Sequence, residues 1–414
     1  MPGVAPGPAH ASAQLESGRP HVAGLEGLRA LGAVAVFVKH SSLATGKQYD
    51  TGWAWLNHFE IGPTLFFVLS AFLVYQPFAA AHLAGRPLPS LTRFARHRVL
   101  RVVPAYWVAL AIMLVFLRAP EQGSFGLHVR DARSVLQLFT FTQIYDPVRF
   151  FDGIAAAYTL CVEVSFYVFV AGWVVLVRRI APRAAAPAQR LRVEFAGIGV
   201  LVGLALGWRF LVGFVFRPDG DAVCSATSTH WTCAAANWLP GYLAYFALGM
   251  LLAVLVVWTR GHGPITAFDR ASDRTMPWLV LAGGLFWLYS ARYGTRGLDS
   301  RTGIDGEVRH LLNGLIVLAA IVPLLGRSRS RYRSLLAGRP LVYLGVVSYG
   351  FYLWHQAFID RLMIWTDARP FDGSFAVVAP TAFALAVAAA AVSHRAIEEP
   401  IRRHRDTLLV GART

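Results

Sequence analysis

Residues 237–258, NWLPGYLAYFALGMLLAVLVVW, contain no Asp, Glu, Lys, Arg or His. As a helix rising 1.5 Å per residue, the segment is about 33 Å long, enough to cross a hydrocarbon core of about 30 Å. No water is available there to backbone N–H and C=O groups, so the segment must satisfy them internally as a helix. Residues 195–216, FAGIGVLVGLALGWRFLVGFVF, repeat the pattern with one charge, Arg209. Hydrophobic residues make up 56% of the 414-residue chain, against roughly 45–50% in soluble domains. A soluble fold would have to bury every such block in one core. The chain is therefore predicted to be an all-α, polytopic membrane protein.

Ten spans are expected, near 25–44, 60–82, 102–118, 155–178, 195–216, 237–258, 276–292, 307–326, 341–363 and 375–395. Segment 134–146 is too short and polar to span and reads as interfacial or re-entrant. Arginines cluster after the second span (Arg86, Arg93, Arg96, Arg98, Arg101), after the fourth (Arg178, Arg179, Arg183, Arg190, Arg192), after the eighth (Arg327, Arg329, Arg331, Arg333, Arg339) and in the C-terminal tail (Arg402, Arg403, Arg405). All fall on one side if both termini are cytoplasmic, as the positive-inside rule requires. The net charge of +16 is then explained by topogenesis and anionic lipid, and nucleic acid is not an expected partner. Residues 1–20 read as a disordered tail and 401–414 as a basic cytoplasmic one. The tail lacks the basic and apolar regions of a cleaved signal, so the first helix is expected to stay in a cell membrane. Cys224 and Cys233 would share an external loop, where they can form a disulfide; Cys161 has no evident partner. No metal-ligand spacing is found, and no permanently bound cofactor is expected.

Ionisable groups inside a membrane are costly and so mark candidate sites. Arg29 and His40 are eleven residues apart, which returns them to one helix face about 16 Å apart along the axis. Glu163 in the fourth span and His355 in the ninth are expected at the depth of His40, in the outer half. Tyr349, Tyr352 and either His355 or Gln356 form a stripe on the ninth span. Each group also has a structural reading. The two imidazoles can bond neighbouring helices, Glu163 can pair with a base, and Arg29 can snorkel beside Glu26. Arg96, Arg98 and Arg101 can be topology signals alone. Lys39 beside His40 either disfavours its protonation or points elsewhere.

In this order the motifs resemble those of the acyltransferase-3 family of integral membrane O-acyltransferases. They are Arg29 and His40 with ten residues between, Phe66-Phe67-Val68-Leu69-Ser70-Ala71-Phe72, the arginines leading to Pro104-Ala105-Tyr106-Trp107, Thr159-Leu160-Cys161-Val162-Glu163 with Phe166-Tyr167, Ser348 to His355, and Glu398-Glu399-Pro400. Three positions depart from the family pattern: Ala71 for Gly, Thr159 for Ser, and Val164 for a second acid. Residues 21–400 would form the family's transmembrane domain.

The resemblance implies transfer of an acyl group, often acetyl, from cytoplasmic acyl-CoA to a hydroxyl of a cell-surface glycan or glycosylated metabolite. Some members carry an esterase-like domain after the helices; this chain, ending at 414, is expected to work without one. His40 would be the general base, with Glu163 or His355 orienting it or placing the acceptor. Arg29, Arg96, Arg98 and Arg101 would hold the CoA phosphates, and Ser70, Tyr349 and Tyr352 would contact substrate. The rival expectation is a transporter or sensor of a lipid, glycan or small acid, against which stands the lack of repeated halves.

Overall fold

The computed structural model describes residues 22, 24–116, 129, 131–183, 185–216, 230–293 and 303–403, all-helical apart from loops and one isolated bridge between Arg369 and Asp372. The terminal tails, apart from the short stretch 401–403, and Cys224 lie outside the described residues. Cys233 is disulfide-bonded and Cys161 is a buried free thiol.

The helices are α1 (Leu25–Ala44), α2 (Ile61–Leu83), α3 (Leu91–Phe116), α4 (Ala132–Thr140), α5 (Tyr158–Ile180), α6 (Pro187–Phe210), α7 (Trp231–Ala235), α8 (Leu239–Gly261), α9 (Thr266–Ser272), α10 (Thr275–Leu288), α11 (Ile304–Leu325), α12 (Arg331–Leu336), α13 (Arg339–Val346), α14 (Ser348–Trp365) and α15 (Phe375–Ser393). Among the described residues, seven helical segments are long and apolar enough to cross a membrane, containing α2, α3, α5, α6, α8, α11 and α15. The protein is a multi-pass membrane protein. Of the remaining three predicted spans, two are helical as α1 and as α10 continued by Tyr289–Tyr293, whereas the span expected at 341–363 is broken at Val347 into α13 and α14.

Segment 134–146 holds most of α4, nine residues capped by Asp131, whose carboxylate accepts from the Ser134 N–H at 2.8 Å, and a 3-10 turn over Gln143–Tyr145. The Arg149 guanidinium pairs with Asp131 and holds its carboxyl below the usual carboxylate range.

Loop contacts sort the helix ends into two sets. Gly24 packs on Leu336, Gly345 on Glu26, and Arg327 bonds the Thr259 carbonyl at 2.8 Å. These mark the arginine-rich end. At the opposite end the Phe371 N–H donates to the Ala44 carbonyl at 2.9 Å and that of Gly373 to Thr45 at 3.2 Å. Gly46, at φ 75°, lies so close that a Cβ there would meet the Phe371 carbonyl oxygen at 1.9 Å. That end of α1 is thereby pinned to the loop after α14.

At the centre α2 lies on α8 with backbones touching: a Cβ on Gly249 would be 2.2 Å from the Val68 carbonyl oxygen. A buried polar network fastens the arginine-rich end of α2. Glu194 accepts from Tyr75 Oη at 2.6 Å and contacts His82 Nδ1 at 2.5 Å, while Arg190 donates to the Leu83 carbonyl at 2.9 and 3.1 Å. Arg190, counted in the sequence as a loop charge, is in fact a buried cap for the α2 C-terminus.

Candidate active site

α3 begins at Leu91, so Arg93 to Arg101 lie on its first turns and not in a loop as the predicted span implied. At 100° per residue, Arg98 and Arg101 lie about 60° apart, whereas Arg96 is about 160° from Arg98. Arg98 and Arg101 accordingly line a cavity, and Arg96 is exposed away from it. The cavity encloses about 790 Å³, part of it open to solvent. Arg29, Ser70, Glu163, Tyr349 and Tyr352 also line it.

Its polar groups are individually held. Arg29 donates to Ser348 Oγ at 3.3 Å and so faces α14, with Glu26 still in electrostatic reach. Glu163 accepts from Ser70 Oγ at 2.5 Å and from Tyr167 Oη, one helical turn away. The Arg98 guanidinium lies 5.4 Å from the Tyr167 ring, a cation–π distance. Tyr349 Oη donates to the Val102 carbonyl at 2.7 Å, and Tyr352 Oη lies 2.7 Å from both the Ala156 carbonyl and Thr159 Oγ1. Three guanidiniums against one carboxylate make a chamber suited to anionic oxygens, which planar guanidinium binds in pairs.

His40 and His355 form a separate pair. His40 Nδ1 is 2.8 Å from His355 Nε2, with ring planes 12° apart and centroids at 5.0 Å. His355 Nδ1 is 2.8 Å from the Tyr352 carbonyl oxygen. A carbonyl only accepts, so His355 Nδ1 carries the hydrogen and its Nε2, in the neutral ring, holds a lone pair. His40 Nδ1 must then donate, which leaves the lone pair on His40 Nε2, where a general base needs it. Phe37 and Phe351 pack beside His355 with ring centroids at 6.4 and 6.0 Å, fixing its plane.

The structure thus joins His40 to His355 and puts Glu163 elsewhere, with Ser70 and the arginines. Neither imidazole lines the cavity. Tyr352 connects the two places, since its side chain lines the cavity while its carbonyl anchors His355. Phe66 packs on Tyr352 at 5.9 Å and lines the same wall. That Arg29 and His40 share a face is visible in their partners, Ser348 and His355, both on α14. Lys39 lies in electrostatic reach of Glu60 and Arg309 as well as of His40. Of the closing motif, Glu398 lies 3.4 Å from His394 Nδ1, and Glu399 pairs with Arg403 at 2.7 Å.

Sequence reasoning did not single out Glu60, Arg309, His310, Asn313, His82 or Glu194. Arg309 pairs with Glu60, which also accepts from Tyr289 Oη. Glu60, Arg309 and His310 sat at predicted span ends, where charge is ordinary, and only tertiary contact distinguishes them.

An acyltransferase domain model matches residues 22–395. The chain belongs to the acyltransferase-3 family. Among relatives of this acyltransferase-3 chain, the O-acetyltransferase OatA of Staphylococcus aureus (strain NCTC 8325 / PS 47) is 23% identical over 393 residues, covering 92% of this chain and 57% of that protein. The peptidoglycan O-acetyltransferase OatA of Listeria monocytogenes serovar 1/2a is 23% identical over 406 residues, covering 93% and 56%. The chain spans a little over half the length of these curated relatives. No solved structure matches it.

Proposed function

We propose that the chain is an O-acyltransferase of the plasma membrane that moves an acyl group, acetyl by preference, from cytoplasmic acyl-CoA to a hydroxyl of a cell-surface glycan. The observation that carries this reading is the bond chain from Tyr352 C=O through His355 to His40, which leaves His40 Nε2 as a free base. Support for the donor comes from Arg29, Arg98 and Arg101 around one cavity. Support for acetyl and a glycan comes from the names of the two relatives.

In this account the arginine-rich end faces the cytoplasm, and the three guanidiniums hold the donor's phosphates. The thioester arm runs along Tyr349 and Tyr352 toward the imidazoles. His40 Nε2 takes the acceptor's hydroxyl proton as the oxygen bonds to the thioester carbonyl carbon. Collapse of the tetrahedral intermediate breaks the C–S bond, and the CoA thiolate takes the proton from His40. The products are an ester and free CoA. His355 accepts a hydrogen bond from His40 throughout and fixes its ring, as the third member of a triad does.

Purified protein given acetyl-CoA and a glycan should release free CoA and add an acetyl mass to the glycan. A transporter or sensor would release none, and that result would overturn the reading. A stepwise route is favoured by one contact only, the Ser70 Oγ–Glu163 pair inside the donor cavity, which has the form of a nucleophile and its base. An acetyl group trapped on Ser70 after donor alone would establish it.

A further inference from the structure

A second cavity lies at the opposite end of the bundle, between the ends of α2, α6, α8 and α11, with about 1250 Å³ of space, part of it open to solvent. Its charges cancel in pairs. Arg209 Nε bonds Glu307 Oε2 at 2.7 Å, and Arg309 pairs with Glu60. Each guanidinium that lines it is paired with a carboxylate, so an anionic ligand gains little there. It offers donors and acceptors side by side, the arrangement that vicinal hydroxyls need, since each hydroxyl gives one hydrogen and accepts at its lone pairs.

Two further groups are aimed at a ligand. His310 Nε2 and Asn313 Oδ1 are buried without a hydrogen-bond partner, in residues each only 7% exposed. Leaving such a buried group unmet is costly, and a ligand hydroxyl or amide would meet it. Both are on α11, three residues apart and so on one face, and both line the cavity. Flat surface accompanies them: His310 stacks on Tyr245 at 4.0 Å with planes 19° apart, and Tyr242 lies 6.2 Å from Tyr245. A sugar ring presents this combination, an apolar face of C–H groups rimmed by hydroxyls.

The place fits as well. Tyr242 lines this cavity and touches Phe67, at 5.0 Å between centroids, which lines the first. Tyr158 lines the second cavity and its neighbour Thr159 the first. The two spaces are back to back across one aromatic layer, and Lys39, next to His40, reaches electrostatically to Glu60 and Arg309.

We propose that this second cavity is the acceptor chamber, holding an uncharged sugar ring with His310 and Asn313 bonded to its hydroxyl or amide groups. The assignment rests on the O-acyltransferase reading above and adds where its acceptor sits. Purified full-length protein in lipid nanodiscs is titrated with a tetramer of β-1,4-linked N-acetylglucosamine, without donor, and affinity is read calorimetrically. CoA release from acetyl-CoA is measured separately. Asn313→Leu keeps the volume and His310→Phe keeps the stack on Tyr245, so if one fails to fold, the other still reports; melting temperature identifies the folded variant.

The expected result is a dissociation constant at least tenfold higher in either folded variant, with the affinity for acetyl-CoA unchanged. Absence of binding by the parent protein, or equal binding by the folded variants, overturns the chamber. Binding that is lost in the variants, with no CoA released by the parent protein, supports the chamber and overturns the transferase reading instead. CoA release from acetyl-CoA and the tetramer, with unchanged KM for the tetramer in the folded variants, overturns the chamber alone.

Discussion

The backbone carbonyl of Tyr352 decides which nitrogen of an imidazole on another helix can act as a base. It fixes the hydrogen of His355 on Nδ1, and the 2.8 Å contact between the rings passes that choice to His40. His355→Ala should lower kcat by about 10²–10⁴-fold, the range for loss of general-base assistance, while KM for the donor stays within a few-fold. Steady-state kinetics check the split. Arg98→Ala and Arg101→Ala each remove a charge-assisted contact of about 1.5–3 kcal/mol, so KM for acyl-CoA should rise by roughly tenfold or more. Arg96→Ala, off the cavity, should leave it unchanged. The sequence displayed the imidazoles and arginines, because ionisable groups stand out in apolar spans. It could not say that His355, and not Glu163, meets His40. That choice depends on how α1, α5 and α14 are rotated about their axes, which is set by packing among helices that are apolar on nearly every side.

Helix boundaries explain the misreading of the arginines. Arg93 to Arg101 lower local hydropathy, so a span drawn from apolarity starts at 102, whereas the backbone is helical from Leu91. Only with the helix extended does the i, i+3 relation of Arg98 and Arg101 appear. The same effect acts on α1 and α14, which carry the site yet fall outside the segments apolar enough to span on composition alone. Polar chemistry is bought there with hydropathy. Legible elements were the featureless ones, such as α8. Its glycine at 249 has a reason that no span prediction contains, the touching backbone of α2. Gly249→Ala should destabilise by about 1–3 kcal/mol through overpacking, seen as a lower melting temperature in detergent. An unchanged melting temperature would mean that α2 and α8 are further apart.

For the whole molecule, the two cavities lie toward opposite ends, one cationic and one charge-balanced, and the imidazole pair joins two helices, α1 and α14, that run between those ends. Orientation therefore carries functional weight: the proposed reaction needs the cationic chamber on the side where acyl-CoA is made. A membrane-impermeant maleimide applied to intact cells should label Asp50→Cys, at the end opposite the arginines. Arg329→Cys should be labelled only after permeabilisation. The reverse pattern would place the donor chamber outside the cell and remove the basis for a cytoplasmic donor. The overall class was legible in the sequence because apolar length is a one-dimensional property. The second cavity was not, because its walls come from helices widely separated along the chain.

The central claim, that His40 Nε2 takes the acceptor's proton, is tested most directly by His40→Ala in purified protein with acetyl-CoA and glycan both saturating. The account predicts that acetyl transfer falls by at least about 10²-fold while the affinity for acetyl-CoA is retained. Transfer at the parent rate by a folded His40→Ala protein would contradict it.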